Sequence, residues 1–384
     1  MTVYKPPFHS ATPCLLDQES RKEVLERLGS PLAKLIDVFN FERFRSQITE
    51  CVKSETQKKR LASNVNTPCA TGLFKSEELP KASLKDAMKL VRKDVRGRRP
   101  HDPVLMFTII MFGVRYRLSD AELAFRLRDS YSFRVFLSLP EGFNISRQAI
   151  WQYREYFTNG GLCELLALEH IDELMKSDLI GKEARILDGS FVEARKQRNT
   201  REENLLIKKE NKAAQDLWGD QLAKARQKDT DARWTKKGNE THFGYKAHAY
   251  ADEKSKLVVY VHTTPANVHD SQVLDDVLGD DDYGMSFLAD SAYSGRPQLD
   301  IIKNYGMFPL VCEKGTANNP LTEEQEARNR IKSSRRCRIE HIFGFIENSM
   351  GGSFVRCVGI KRTAAYQWLT MFVYNLCRQI QLQT

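Results

Sequence analysis

The sequence lacks the features of membrane and secreted proteins. No apolar run in its 384 residues approaches the roughly 18 to 20 residues that a membrane-spanning helix needs. Its first twenty residues do not combine a basic segment with a following apolar segment, which is the pattern of a secretory signal. The sequence therefore predicts a cytoplasmic protein.

Closely spaced cysteines are also lacking. The eight cysteines are scattered along the chain, and no two of them form a C-x-x-C pair. Zinc knuckles and disulfide-stapled domains both depend on clustered cysteines, so the sequence disfavours these two classes. Reduced, mostly packed thiols are expected instead.

Positive charge, in contrast, is in excess. The chain has 59 Lys and Arg against 50 Asp and Glu, a formal net charge of +9, within an ordinary globular composition of 41% hydrophobic and 28% charged residues. Its length allows two or three domains. An anionic partner such as nucleic acid is favoured, although an excess of this size is also compatible with a solvated surface.

The sequence divides into three segments. Residues 1–90 are an N-terminal helical and linker region, with a short amphipathic helix from Leu32 to Phe44 and a polar linker from Ser54 to Gly72. Residues 91–179 begin with the basic hinge "VRKDVRGRRPHDP" and continue as short helices. Residues 180–384 alternate strands with helices, and a charged excursion at 195–240 separates the first two strands.

The second segment carries several helix-start signals. Asp102 precedes a proline, Ser119 forms a capping-box pattern with Glu122, and Ser146 precedes the helical stretch "RQAIWQYREYF". These signals predict an all-α region of short helices.

Basic and amide side chains are placed in this region where DNA-binding helices use them. Arg147 and Gln148 occupy the first turn of the helix after Ser146, as in the recognition helix of a helix-turn-helix. Three hinge arginines precede the region, namely Arg96, Arg98 and Arg99. The segment is therefore predicted to be helix-turn-helix-like and to bind DNA. The alternative is a helical packing module with solvated arginines.

The third segment predicts one mixed sheet flanked by helices. Its five strands lie in "ARILDGSFVEA", "HFGYKAHAYAD", "KLVVYVHTTPA", "MSFLADSAYSG" and "MFPLVCEK", and a long helix runs from about Thr322 to Met350. Three antiparallel strands in succession, extended by two parallel crossovers, give the ribonuclease-H-like order.

Three carboxylates lie at positions that this order of strands and helices would bring close together. Asp188 lies within the first strand, Asp290 follows the fourth strand, which is parallel to the first and beside it, and Glu340 lies at the edge of the buried stripe of the last long helix. Oxygen ligands without Cys or His suit Mg²⁺ or Mn²⁺, and two ions would activate a nucleophile and stabilise the leaving oxygen of a phosphodiester. The alternative is three unrelated carboxylates at the ends of elements.

Several long motifs resemble one family. They are "ILDGSFVEARKQRNTREEN", "RWTKKGNETHFGYKAHAYAD", "TTPANVHDSQVLDDVL", "ADSAYSG", "RCRIEHIFGFIENSMGGSFVRCVGI" and, in the helical region, "GRRPHDPVLMF" and "YRLSDAELAFRLRDSYSFRVFLSL". Together, from about Gly97 to Arg378, they resemble the DDE transposases of the insertion-sequence-five group of bacterial elements.

The resemblance implies that Asp188, Asp290 and Glu340 form the catalytic, metal-binding triad. In the family a Tyr, an Arg and a Lys surround the glutamate with the spacing Y-x2-R-x3-E-x6-K. Arg336 occupies the arginine position, whereas Ser333 and Glu347 stand where the tyrosine and lysine are expected. Lys332 or Arg338 would then take over the lysine's contact with DNA.

Further cations are expected to contact DNA near the cleaved phosphate. Four of these cations flank the strand that contains Asp188, namely Arg198, Arg201, Lys236 and Lys237. A fifth, Lys246, lies on the next predicted strand. In the same part of the chain, Trp234 either stacks on an unpaired base or packs internally. Asp270 either supports the active site or caps the following helix, and His248 is expected to be a core or surface residue.

These expectations combine into a function. The protein would bind the terminal inverted repeats of an insertion element, cleave the DNA ends and join the 3′ hydroxyls to target DNA. A homodimer holding two ends, associated with the nucleoid, is the expected working state. The alternatives are a DNA nuclease without strand transfer and a DNA-binding repressor with a vestigial acidic site.

Overall fold

The computed structural model describes residues 39–65, 100–140, 142–210, 212–316 and 320–383, together with Glu23 and Arg27. The predicted hinge arginines Arg96, Arg98 and Arg99 lie outside these residues. Of the predicted helix from Leu32 to Phe44, the described part is an extended stretch followed by a short 3₁₀ helix, Phe41–Phe44.

Six α-helices precede the sheet in the described residues. Their bounds are α1 Arg45–Val65, α2 Pro103–Arg115, α3 Asp120–Asp129, α4 Tyr131–Phe136, α5 Arg147–Asn159 and α6 Leu162–Lys176. The predicted polar linker is wrong up to Val65, because α1 continues through it. Its Glu, Gln, Lys, Arg, Leu and Ala residues have high helix propensity, so a polar composition does not interrupt the helix.

The predicted N-caps are confirmed. Asp102, Ser119 and Ser146 each accept a hydrogen bond from the backbone N–H three residues later, at 2.9, 3.2 and 3.2 Å. The capping box at Ser119 is only half formed, since Glu122 instead lies 3.8 Å from Arg126 one turn further on.

A six-stranded mixed sheet follows in the described part of the chain. Its strands are β1 Ala184–Glu193, β2 Arg233–Lys237, β3 Glu240–Asp252, β4 Val258–Pro265, β5 Ser286–Ala289 and β6 Phe308–Val311. β3 is antiparallel to β1, β2 and β4, whereas β5 is parallel to β1 and to β6. The predicted ribonuclease-H-like order is confirmed.

The charged excursion contains more structure than the sequence indicated. It holds α7 Arg201–Lys209, α8 Ala214–Trp218 and α9 Leu222–Ala225, which pack around a small core, and then β2. Strand β2 was missed because "RWTKK" is short and carries one apolar side chain, so it shows no alternation.

Five further α-helices cover the sheet in the described residues. They are α10 Leu274–Val277, α11 Arg296–Asn304, α12 Glu323–Arg336, α13 Arg338–Met350 and α14 Ile360–Gln383. The predicted long helix from Thr322 to Met350 is therefore two helices, interrupted at Cys337. Arg335 and Arg338, on either side of the interruption, both form ion pairs with Glu253. None of the described helices is long and apolar enough to cross a membrane.

Side chains from the helices satisfy backbone groups at two outer strands. The Asn375 amide accepts a hydrogen bond from the Val258 N–H and donates one to its carbonyl, both at 2.8 Å. Beyond β6, Asn329 makes the same pair of contacts with Glu313, at 2.8 and 3.0 Å. The helices thereby cap the sheet as well as covering it.

One hydrophobic core joins the N-terminal helices to the sheet. Phe372 of α14 lies at its centre, with ring centroids 5.6 Å from Phe39, 6.3 Å from Phe107 and 5.3 Å from His170. The sequence boundary proposed at residues 179 and 180 is therefore crossed by continuous apolar packing.

His170 is a titratable group enclosed by this core. Its side chain is 2% exposed, and Arg43 Nη2 lies 3.4 Å from Nδ1. Burial, together with the neighbouring Arg43 charge, lowers the pKa of His170 to about 3. The folded state therefore keeps the imidazole neutral at pH values where the unfolded chain binds a proton.

We expect acid to destabilise the fold through His170. Its contribution is fully present above pH 6.5, the ordinary value, and is lost as the pH falls towards 3, with a slope of up to about 1.4 kcal/mol per pH unit. His170→Gln should make the melting temperature less dependent on pH between 6.5 and 4, as measured by circular dichroism. His341→Gln, an exposed control, should leave the dependence unchanged. Parallel curves for His170→Gln and the unmodified protein would contradict this assignment.

Candidate active site

The pairing of β1 with β5 places two aspartates side by side. In this parallel pair Ile186 lies opposite Leu288, and each aspartate follows its strand partner by two residues, Asp188 within β1 and Asp290 just after β5. Asp290 also caps a short 3₁₀ helix, since its Oδ1 accepts a hydrogen bond from the Ala292 N–H at 2.9 Å. The register of the two strands thus places both carboxylates at the same end of the sheet, beyond the last residue of β5.

Asp188 is a carboxylate in a poorly hydrated position. Its side chain is 24% exposed, and Oδ1 accepts a hydrogen bond from the Gly189 N–H at 2.8 Å. Burial raises the pKa of Asp188 to about 6; the Arg336 charge opposes this shift, whereas the negative charges of Asp290 and Asp270 add to it. The ionised form therefore needs more positive charge than the protein supplies.

Arg336 links this pair to the third predicted carboxylate. Nη1 lies 2.7 Å from Asp188 Oδ2, and Nη2 lies 3.4 Å from Glu340 Oε1. Arg336 ends α12 and Glu340 lies in the first turn of α13, so the interruption at Cys337 stands between them. Glu340 is 64% exposed and reaches the aspartates only through the guanidinium. Arg336 therefore joins Asp188 to Glu340, while the sheet register places Asp290 beside Asp188.

The donor chemistry of this site suits a hard divalent cation. The acidic groups whose charges act on Asp188 are the carboxylates of Asp290 and Asp270, and Mg²⁺ and Mn²⁺ favour carboxylate oxygens as ligands. Among the described residues, no three His, Cys, Asp or Glu side chains lie close enough together to enclose an ion as they stand. The Arg336 guanidinium occupies one Asp188 oxygen, so binding an ion there requires that contact to open.

Asp270 is a site residue whose position the sequence left open. It is not the cap of the following helix, because His269 caps the 3₁₀ helix Asp270–Gln272. Its Oδ1 instead accepts a hydrogen bond from Lys246 Nζ at 2.9 Å, and its charge raises the pKa of Asp188. The available signal in the sequence was its position in the loop after β4, a strand two places from β1. His248 was expected to be either a core or a surface residue. It is 0% exposed and is therefore a core residue.

The predicted DNA-contacting residues fall into two structural groups. Arg147 and Gln148 are exposed in the first turn of α5, and Arg198, Arg201, Lys236 and Lys237 are exposed in the excursion. Lys237 and Lys246 both lie over the Phe191 ring of β1, with Nζ at 5.7 and 5.5 Å from its centroid. The sheet therefore brings two of these cations beside the strand that carries Asp188.

Three other cations form contacts within the protein. Lys246 is 12% exposed and also donates to the Val268 carbonyl at 2.8 Å. Arg338 lies 3.4 Å from Glu253, and Lys332 donates to the Val311 carbonyl at 2.8 Å. The two residues expected to replace the family's lysine are thus held by protein atoms. Trp234 is 52% exposed and packs against Phe243 at 5.0 Å between ring centroids.

Comparison with known structures gives only remote similarity. Two of them are "Mos1 transposase paired-end complex with left transposon end" and "Crystal structure of the Mos1 Strand Transfer Complex", each 12% identical over 82% of this chain and 98% of that chain, with TM-scores of 0.18. A third, "Crystal structure of a pre-cleavage Mos1 transpososome", is 11% identical over 89% of this chain and 97% of the other, with a TM-score of 0.16. Scores of this size carry no argument.

Comparison with protein families is decisive. Residues 76–156 match the family described as "Transposase domain (DUF772)", which covers part of the helical region. Residues 180–376 match the family described as "Transposase DDE domain". Because this second match spans more than half of the 384 residues and includes Asp188, Asp290 and Glu340, the protein belongs to the family of DDE transposases.

Proposed function

We propose that this DDE transposase belongs to the insertion-sequence-five group, binds the terminal inverted repeats of its element, cleaves the DNA ends and joins the 3′ hydroxyls to target DNA. The observation that carries the proposal is the register of β1 and β5, which sets Asp188 beside Asp290, with Arg336 linking Asp188 to Glu340. The motifs quoted above support the group assignment. The helical region at 91–179 supplies DNA binding, and the region at 180–384 supplies catalysis.

In this proposal Asp188, Asp290 and Glu340 hold two Mg²⁺ or Mn²⁺ ions. When bound, such ions would supply activation of the attacking oxygen and stabilisation of the leaving oxygen of the phosphodiester. The contribution of the chain is to orient the three carboxylates and to limit the access of water to Asp188. The raised pKa of Asp188 supports this assignment, because a cation would supply the positive charge that the ionised carboxylate lacks.

Arg336 has two roles in the proposed reaction. Before DNA and cations bind, its guanidinium neutralises Asp188 and approaches Glu340. With cations on the carboxylates, the same side chain would be free to contact a phosphate oxygen, for which a planar guanidinium is well suited. A single arginine would thereby stabilise the site both without and with its ligands.

DNA contacts are proposed for two surfaces. Arg147 and Gln148 of α5 contact the terminal repeats, with Arg96, Arg98 and Arg99 on the neighbouring backbone. The exposed cations of the excursion and Lys246, Arg336 and Arg338 contact DNA near the cleaved phosphate. Since two element ends must be joined to one target, we propose a homodimer on DNA.

Two other functions use the same site in part. A nuclease would cleave the ends without joining them, and a repressor would bind the ends without cleaving them. The proximity of Asp188 and Asp290, both half-buried, disfavours a repressor, because two close negative charges are costly to keep without a function. A strand-transfer assay separates transposase from nuclease.

Asp188→Asn should abolish cleavage and joining while leaving affinity for the terminal repeats within about twofold, because the amide keeps the shape of the side chain but loses the charge that holds cations. The substrate is a duplex containing the inverted repeat found beside the gene, and binding is measured by mobility shift. Asp300→Asn, the same change at an exposed position of α11, is the matched control and should cleave normally. Normal cleavage by Asp188→Asn would refute the proposed triad.

Cleavage should require Mg²⁺ or Mn²⁺ and should fail with Ca²⁺, whose larger radius and looser coordination fit the reaction geometry poorly. The measurement is the rate of end cleavage in each metal after chelation, with terminal-repeat binding as the control. Full activity in excess chelator would rule out metal-dependent chemistry.

Arg336→Ala should slow cleavage by about 100-fold even at saturating Mn²⁺, which is the usual cost of removing one group that stabilises transition-state charge. The measurement is the cleavage rate as a function of Mn²⁺ concentration. Arg330→Ala, on the same helix with a 79% exposed side chain, is the control. Complete rescue by excess Mn²⁺ would mean that Arg336 acts on the carboxylates alone and not on DNA.

A further inference from the structure

The helix that carries Arg336 is held mainly by polar contacts. Helix α12 has no buried residue, whereas α13 buries Ile339 and Ile342 in the hydrophobic core. Apolar packing therefore fixes the position of α13 far more firmly than that of α12. The direction in which Arg336 points depends on the hydrogen bonds and ion pairs of α12.

These polar contacts form two groups along α12. In the middle of the helix, two side chains bond backbone groups at the end of β6 and just beyond it. In the last turn, Arg335 contacts Glu253 and the next residue, Arg336, contacts Asp188. Because the first group lies about one turn or more before Arg336, the contacts of the last turn set the orientation of its side chain.

Glu253 binds both sides of the interruption between α12 and α13. Its carboxylate accepts hydrogen bonds from Arg335 Nε, at 2.9 Å, and from Arg335 Nη2. Its Oε1 also lies 3.4 Å from Arg338 Nη1, which lies at the same distance from the Glu253 carbonyl oxygen. The Glu253 side chain is only 8% exposed. The hydrogen bonds from Arg335 nevertheless hold the pKa of Glu253 below its ordinary value, against the effect of burial, so the carboxylate is ionised.

The sheet holds Glu253 itself in place. This residue directly follows β3, and its N–H donates to the Ala184 carbonyl of β1 at 3.2 Å. Ala184 lies about 13 Å before Asp188 along the same strand. Consecutive residues of a helix point about 100° apart, so Arg335 and Arg336 reach these two places on the sheet at once. The end of α12 is thus attached at two points along β1.

We propose that Glu253 is a positioning residue for Arg336: it fixes the last turn of α12 so that the guanidinium faces Asp188. The inference rests on the proposed function, in which the contact between Arg336 and Asp188 opens when cations bind. At that stage the ion pair between Arg335 and Glu253 still holds the last turn, and it keeps the released guanidinium beside the site. The competing interpretation is an ion pair that only stabilises the fold.

The test is a double-mutant cycle on the full chain, with a duplex containing the terminal repeat and saturating Mn²⁺. Glu253→Gln keeps the shape of the side chain but loses its charge. It should lower the cleavage rate about 10-fold and change the affinity for the repeat by less than about twofold, as expected when a group that orients a site residue is removed. Combined with Arg336→Ala, it should slow cleavage no further than Arg336→Ala alone, because the arginine that it positions is absent.

Two further variants and a measurement without DNA complete the design. Glu183→Gln makes the same change at a side chain that is 68% exposed, and it should cleave as the unmodified protein does. Arg335→Gln removes the same ion pair from the helix, where the side chain is 37% exposed, and it takes the place of Glu253→Gln should that variant fail to fold. Hydrogen–deuterium exchange of residues 333–336, the last turn of α12, should become faster in Glu253→Gln but not in Glu183→Gln.

The outcomes separate the positioning role from the proposed function. A reduced rate that Arg336→Ala does not multiply supports both. Unreduced cleavage by a folded Glu253→Gln variant, or losses that multiply in the double variant, overturns the positioning role and leaves the proposed function standing. An unmodified protein that cleaves no terminal-repeat DNA overturns the proposed function. In that case faster exchange of the last turn supports the positioning role, and unchanged exchange overturns it.

Discussion

The parallel pairing of β1 with β5 concentrates negative charge at one end of these two strands. Because Ile186 lies opposite Leu288, the following residues Asp188 and Asp290 emerge side by side, and burial leaves the first of them with a raised pKa. Two like charges in a poorly hydrated position oppose folding. The surrounding structure compensates this cost, with Arg336 on Asp188 and Lys246 on Asp270.

Under the proposed function, the Arg336 guanidinium and a divalent cation would compete for the same Asp188 oxygen. Cation affinity would then be lowered by the free energy of the contact that has to open. DNA phosphate, which gives the displaced arginine a new partner, would shift this competition towards the loaded site.

The sequence predicted the elements of this arrangement better than their junctions. Asp188 and Asp290 could be placed because strand order and parallel direction follow from local patterns, and Glu340 because its helix has a clear apolar stripe. The interruption of the helix at Cys337 could not be predicted, since it is associated with ion pairs to Glu253, a residue far away in sequence. Asp270 was ambiguous for the same reason: its partner Lys246 lies on a neighbouring strand. Local periodicity carries no information about such contacts.

The capped outer strands also limit how two copies of the chain can associate. An exposed strand edge is a template on which another chain can add a strand. At β4 the amide of Asn375 already occupies both backbone groups of Val258, and beyond β6 Asn329 does the same for Glu313. Each asparagine occupies the backbone groups of one residue, so a strand from a second chain could pair with that residue only by displacing the side chain. At these two positions the protein itself takes the place that an added strand would otherwise fill.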